Sequence, residues 1–495
     1  MVVLKRISSL NKSLKVLLAI SVFFVIISCS KDDDSDLPRV TSKDVEIQDF
    51  MWKAMNFWYF WQADVEDLAD DRFSSDEAYT EYLQSRSDPE TFIESLRFSE
   101  DRFTFYNEDY EVLLNSLSGV RKSNGLQTFN VDLLADGNNN RYLFVRNVIP
   151  GSDAAEKGIK RGDVFYGVNG IQFTSDNIND LLSPDTYTLN KGVLDVANRL
   201  VTTTTEEITL TKEENLLEPP IRMATTLDIN GTKIGYLMYQ RFNRDFNDEL
   251  NAVFAQFISD GVTELVLDMR YNPGGSVNTS RLLASMIYGT NTNDLYIRQR
   301  WNAKQQKRLE GQLEDFFTNE VRTGVVLNSL ELNKVYVLAT GSSASASELL
   351  MNGLDPYIEV IHIGTTTRGK NEFSISLVDD ADNNYNYSAS RESLINPDNR
   401  WILQPLVGRN ENSVGFLDYT SGFSPDIELQ EDVFNLGTFG DPNEPLLASA
   451  IDAITNVSSQ ELGKSRFQSN PNERIEIDIQ EEGIMVLDKP LNFNK

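Results

Sequence analysis

With 495 residues, the chain is long enough for roughly two to four domains with ordinary hydrophobic cores. Its 45 Lys and Arg stand against 75 Asp and Glu, a net charge of -30 that repels phosphate backbones and anionic membrane surfaces and so argues against nucleic acid as a partner. One His and one Cys are too few for a structural zinc site, and the reading calls for no metal and no cofactor.

Lys5, Arg6, Lys12 and Lys15 precede an apolar run over residues 16–27, the charge order of a secretory signal. About 12 apolar residues are too few to cross about 30 Å of hydrocarbon as a helix. Ile26, Ile27, Ser28 and Cys29 resemble a bacterial lipobox, which implies lipidation of Cys29 after removal of residues 1–28. The acidic stretch that follows reads as a tether over 29–43, and its Ser-Lys-Asp-Asp start resembles a surface-export signal of bacterial lipoproteins. The expectation is an extracytoplasmic protein held at the outer membrane by a lipid, on either its periplasmic or its outer face.

Residues 44–116 are predicted to form a helical domain. Ile47, Phe50, Met51, Met55 and Trp58 recur at three- and four-residue steps, a core-facing stripe that carries no chemistry of its own. Asp101, Arg102, Phe103 and Thr104 follow the next helical stretch, again with no chemistry assigned. From 117 to 215 short strands alternate with turns, and residues 136–140 read as a hairpin loop; Arg141 stands where a calcium loop needs glycine. Residues 148–170 resemble the signature of PDZ domains, which capture a peptide's C-terminus by adding it as a strand. That resemblance makes Asn124, Gly125 and Leu126 the carboxylate-binding loop. Residues 213–220, with paired prolines, read as a linker.

Beyond it, over 220–458, strands and helices alternate, which predicts an α/β layer architecture. A buried strand over 264–269 runs into Arg270-Tyr271-Asn272-Pro273-Gly274-Gly275. Another over 334–339 precedes the run 341–350, GSSASASELL, and its helix. Ser345 and Glu348 have capping-box spacing, so the pair has a purely structural reading. Position adds a chemical one: a serine at a helix start lies near free N–H groups and the positive end of the helix dipole, where an oxyanion can be stabilised. A serine nucleophile also needs a base. His362 lies in an apolar strand and reads as a packed structural residue. Lys370, 25 positions after Ser345, follows that strand in a glycine-containing loop. A lysine acts as a base only when neutral; lowering its affinity for protons by about three pKa units takes on the order of 4 kcal/mol, so Lys370 is required to be buried.

Together, GSSASASE, the spacing to Lys370, residues 265–275 and the late GFSPDI at 422–427 resemble the carboxyl-terminal processing, or tail-specific, serine peptidases, over roughly residues 95–455. The resemblance implies a crotonase/Clp protease-like α/β core with an inserted PDZ-like β domain and an N-terminal helical domain. It also implies Ser345 as nucleophile, Lys370 as base, and an oxyanion hole from the N–H of Ala346 with that of Gly274 or Gly275. Where many relatives carry a glutamine four residues after the lysine this chain has Ser374, so Glu348 and Ser374 both stand as candidates to orient Lys370. The implied activity is a serine endopeptidase acting on protein or peptide C-terminal tails. A catalytically silent peptide- or lipid-binding lipoprotein of the same fold is the competing reading; an acyl-thioester enzyme is disfavoured by the export signal. Residues 459–495 are expected to form a tail, with Ile475, Ile477 and Ile479 in a late edge strand or flexible.

Overall fold

The computed structural model describes residues 37–133, 140–455, 473–477, 483–489 and 491. The expected signal peptide, Cys29 and most of the 136–140 hairpin loop lie outside the described residues.

Four helices begin the described chain: α1 (Glu46–Trp58), α2 (Asp76–Gln84), α3 (Pro89–Ser95) and α4 (Tyr110–Leu117). The last three start on Ser75, Asp88 and Asp109, whose side chains accept from first-turn N–H groups otherwise left unpaired. The α1 stripe is buried as its periodicity predicts, except Ile47, which is only partly covered. Its partners are unexpected. Trp52, Trp58, Tyr79 and Phe92 belong to the same hydrophobic cluster as Leu282, Leu349 and Phe373 of the α/β half, so these helices share one core with it.

Residues 126–211 supply the strands of an inserted β domain: β1 (Leu126–Leu133), β2 (Arg141–Val148), β3 (Val164–Val168), β4 (Thr186–Asp195) and β5 (Leu200–Thr211). Asn169 and Gly170 turn β3 back on Ile171–Gln172 with φ of 52° and 80°, the positive pair that a tight hairpin turn requires. The predicted linker is a correction. Glu213–Leu217 is a strand, paired antiparallel with Val120–Ser123, so the entry and exit of the domain are zipped together instead of joined by free chain. Its sequence, two glutamates and an asparagine before two leucines, hides this because only Leu216 is buried.

The α/β half contains two six-stranded sheets. The first orders β6 (Ile221–Ile229), β7 (Thr232–Tyr239), β8 (Glu264–Asp268), β12 (Lys334–Ala339), β13 (Glu359–Gly364) and β16 (Ile427–Glu428), parallel except at β6. Along β7 and β8, alternate residues enter different cores: Leu237, Tyr239, Leu265 and Leu267 face the cluster that holds α5 (Asn247–Asp260), α6 (Val277–Tyr288) and α7 (Ala346–Leu354). Tyr236, Met238 and Val266 face the one that holds α8 (Pro445–Thr455) and residues of β1 and β2. Burial of both faces is why these strands read as continuous apolar runs. The second sheet orders β9 (Gly274–Ser276), β18 (Ile484–Val486), β14 (Glu372–Ser374), β15 (Leu406–Asn412), β10 (Leu295–Trp301) and β11 (Glu314–Phe316). Within the tail region, β17 (Glu473–Ile477) adds antiparallel to β1, so Ile475 and Ile477 lie in a strand; Ile479 lies outside the described residues.

At the end of β8 the fully buried Arg270 guanidinium meets Asp268 at 2.7 Å, Glu444 at 2.7 Å and Glu431 at 3.1 Å. Removing one member of such a cluster strands the others in a dry interior. Arg270→Ala is therefore expected to lower stability by about 3–5 kcal/mol, read as a fall in the urea midpoint at unchanged slope.

Candidate active site

Three segments leave the carboxyl ends of the adjacent parallel strands β8, β12 and β13, the edge where open α/β sheets place ligands. They carry Asn272 to Gly275, Thr340 to Ser345, and Thr365 to Lys370.

Asn272 locks the first segment. Its Nδ2 donates to Tyr239 O at 2.9 Å, its Oδ1 accepts from the Gly274 N–H at 2.9 Å, and its carbonyl accepts from the Ala344 N–H at 3.1 Å and the Ser347 hydroxyl at 3.0 Å. The first turn is thereby fastened to the serine turn. Gly274 has φ +109° and no room for a side chain: a Cβ would lie 2.2 Å from Ile484 O, 2.8 Å from Ser345 Cβ and 2.9 Å from Ala346 N. Sequence left Gly274 and Gly275 open as oxyanion donors. The Gly274 N–H is committed to Asn272, while Gly275 pairs with Met485 of β18 in parallel register.

Ser345 precedes α7 with φ 66° and ψ -111°, a conformation costly for any side chain with a Cβ. It is fully buried, and its Oγ is without a hydrogen-bond partner. The Glu348 half of the capping box is present, Oε2 accepting from the Ser345 N–H at 2.8 Å. The same oxygen accepts from the Lys370 N–H at 2.9 Å, while Oε1 accepts from Thr367 Oγ1 at 2.6 Å and the Gly369 N–H at 2.7 Å. One carboxylate oxygen thus holds the main chains of Ser345 and Lys370 together. Burial pushes the Glu348 carboxyl up from its ordinary range, and these four hydrogen bonds oppose that rise.

Lys370 is fully buried, the condition its role as a base required. Its Nζ donates to Gly483 O and lies 5.0 Å from the centroid of the Phe103 ring. Arg102 Nη2 donates to Gly369 O and, at 3.2 Å, to Thr420 O, bracing the lysine loop from outside. Asp101 Oδ1 fixes that brace by accepting from the Phe103 and Thr104 N–H groups at 3.0 and 2.9 Å. Of the candidate orienting groups, Glu348 holds the lysine's backbone, whereas Ser374 Oγ donates to Met485 O at 3.1 Å and so serves the neighbouring strand. His362 is packed as expected, its Nε2 3.1 Å from Ala339 O and its basicity lowered by burial.

The Asn124–Leu126 loop lies in the inserted domain, apart from this centre. Its Gly125 N–H donates to Ser123 Oγ at 3.0 Å and its Leu126 N–H to Asn124 Oδ1 at 3.2 Å, so both donors are held by side chains of the loop itself. Gly125 is required for another reason: at φ +84° a Cβ would lie 2.0 Å from Ser152 Oγ. Arg102, Phe103, Asn272, Thr367 and Gly483 are site residues that sequence reasoning missed. Asp101 to Thr104 stood out only as an aperiodic break between helices, and Gly483 carried no signal.

Residues 233–410 match the family model for peptidase family S41 and residues 46–105 that for the peptidase S41 N-terminal domain, so the chain carries S41 family domains. It is 24% identical over 232 residues to a protein named "Probable CtpA-like serine protease" from Staphylococcus aureus, covering 47% of this chain and 42% of that protein. It is 25% identical over 264 residues to a carboxyl-terminal-processing protease of Picosynechococcus sp., covering 53% and 58%. The matches thus span about half the length of these curated relatives. A solved structure from Bacteroides fragilis NCTC 9343, described as a candidate S41 protease, superposes with a TM-score of 0.65 at 26% identity, over 82% of this chain and 97% of that one.

Glu348→Gln replaces one acceptor oxygen by an NH2 group and is expected to cut turnover about 100-fold, the cost of an ångström-scale misplacement, with the fold retained by circular dichroism. Acidification should separate activity from stability. Because the folded carboxyl is raised above 4.5, its contribution to stability is greatest below that value and is lost as pH rises through the folded value. Turnover needs the ionised form and should begin to fall on acidification above the ordinary glutamate range, while this group adds no loss of melting temperature there. A pH–rate profile beside a melting series checks both.

Proposed function

We propose that the chain is a serine endopeptidase working through a Ser345–Lys370 dyad. The observation that carries this reading is the shared Glu348 oxygen, which holds a strained serine with an unpartnered hydroxyl against the main chain of a fully buried lysine. Lys370 in its neutral form takes the Ser345 proton as Oγ attacks the scissile carbonyl carbon. The resulting oxyanion faces the N–H group of Ala346, at the start of α7, and that of Gly275, in β9. Collapse breaks the C–N bond, and the Lys370 ammonium returns its proton to the leaving amine. Water then enters, gives a proton to Lys370 and hydrolyses the Ser345 ester.

Support for the substrate class comes from the slot beside the nucleophile, which is built of strand edges and suits an extended backbone more than particular side chains. Proteins or peptides with accessible C-terminal tails are the proposed substrates, with the inserted β domain, read as PDZ-like, gathering the tail. Cys29 is proposed to carry the lipid that holds the protein at the outer membrane.

Ser345→Ala and Lys370→Ala should each abolish cleavage of a fluorogenic apolar peptide while peptide binding persists. Lys370→Arg should be equally inactive, because a guanidinium stays protonated. A Lys370→Arg form that turns over normally, or a wild type that binds the peptide and never cuts it, would replace this reading with the silent carrier. For the anchor, Cys29→Ala is expected to leave the precursor unprocessed and free of palmitate label.

A further inference from the structure

The two reacting groups are completely buried, so something of this chain's own covers them. Part of that cover is the segment 483–489. Gly483 O accepts from Lys370 Nζ, and a Cβ on Gly483 would lie 2.7 Å from Ala344 Cβ and 3.3 Å from Lys370 Cδ. The Ile484 N–H donates to Pro273 O at 2.7 Å, and the Ile484 carbonyl oxygen converges on Gly274 together with Ser345 Cβ and Ala346 N. β18 then runs parallel to β9, with Gly274, Gly275 and Ser276 opposite Ile484, Met485 and Val486. On its other side the Leu487 N–H donates to Ser374 O at 2.9 Å and Met485 O accepts from Ser374 Oγ. Ile484, Met485 and Leu487 are buried. Asp488 latches the end of the strand, its Oδ2 accepting from Ser276 Oγ at 2.7 Å and its Oδ1 from the Asn278 N–H at 3.3 Å, and Lys489 after it pairs with Asp315 at 3.0 Å.

An extended strand with a carbonyl beside the nucleophile and the oxyanion donors is how a peptide substrate of the proposed peptidase has to lie. A second stretch of the same tail repeats the pattern at the inserted domain. There β17 adds to the edge strand β1, with Ile477 opposite Phe129 and Glu473 opposite Leu133, so its C-terminal direction points toward the Asn124–Leu126 loop. That is the polarity in which a peptide C-terminus would approach that loop.

We infer that the slot between β9 and β14, continued at the edge of β1, is the peptide track of this protein, and that residues 483–489 in the slot and 473–477 at the β1 edge are its resident occupants. The inference rests on the peptidase reading for what the track delivers to Ser345, but not for who occupies it. Tethering gives the tail an effective concentration on the order of millimolar, so an incoming substrate competes against a high local excess. Activity in the full chain is then governed by displacement of the tail.

The test uses the full chain and two variants of the occupant. Ile484→Asp places a charge in the apolar slot, and Asp488→Asn weakens the latch. The rate at which a fluorophosphonate labels Ser345 should rise at least about tenfold in Ile484→Asp and a few-fold in Asp488→Asn, since opening then costs less. A synthetic peptide of residues 473–491, added at millimolar concentration, should slow the Ile484→Asp form again. Wild type and both variants labelling equally fast, at equal melting temperatures, overturns the inference. Should Ile484→Asp not melt cooperatively, Asp488→Asn carries the comparison. A second measurement does not depend on chemistry: in full-length Ser345→Ala, the amides of residues 484–487 should be protected from hydrogen exchange and lose protection when the 473–491 peptide is added. Protection unmoved by saturating peptide overturns the occupancy, whereas displacement without labelling or cleavage in any form sinks the peptidase reading and leaves the occupancy standing.

Discussion

The structure depends on the Glu348 carboxylate. An ionised carboxylate in a dry interior is costly, and it is tolerated here because three backbone N–H groups and one hydroxyl converge on its two oxygens. Those donors come from two segments that follow different strands, the serine turn after β12 and the lysine loop after β13. Neither can shift alone without stranding a buried oxygen. The constraint also explains how Ser345 keeps a backbone conformation that ordinary residues avoid: the Glu348 bond fixes its N–H, while Asn272 fastens the residues on either side of it. Helix α7 contributes by geometry alone, since Glu348 stands one turn along from Ser345 and is bound to reach back over it.

A second buried charge cluster joins the inserted domain to the turn that supplies Gly275. Arg270 and Tyr271 lie directly before Asn272, and both bond Glu431. Arg161, in the inserted domain, reaches the same carboxylate at 2.7 Å and the Tyr271 hydroxyl at 2.9 Å, while Arg146 lies 4.8 Å from the centroid of the Tyr271 ring. Nearby arginines and the Tyr271 hydroxyl hold the Glu431 carboxyl below its ordinary range against burial. The domain is thus fixed to the core through the two residues that lead into the Asn272–Gly275 turn, so any rotation of it would be felt there first.

How much was legible in the sequence follows from which interactions are local. The strands over 264–268 and 334–339, and the helix after Ser345, could be read because each carries its own apolar pattern and cap. Ser345 and Lys370 were readable as a pair from their positions after neighbouring strands and from resemblance, but nothing between them encodes the bond both make to Glu348. The strand Glu213–Leu217 was missed because paired prolines and exposed charges outweighed a single buried leucine. Asp101 to Thr104 stayed silent for the opposite reason: Arg102 acts 267 residues away, on Gly369, and no local periodicity records a contact of that range. The tail was the least legible of all, because a strand of three residues with one glycine before it has no pattern until two edges exist to receive it.

Those two edges set a physical requirement. In the second sheet, among the described residues, β9 is joined to β14 only through β18, so the order of strands would be broken at that point without a strand between them. An empty slot would leave backbone donors and acceptors of both edges without partners beside apolar side chains, a condition that buried strands avoid. Water could satisfy the polar groups only by wetting the surface that Ile484, Met485 and Leu487 now cover. The slot is therefore most stable filled, and any extended apolar peptide that fills it restores the same ladder. Selectivity in such a site arises less from pockets than from which strand, tethered or free, reaches the two edges first and holds them longest.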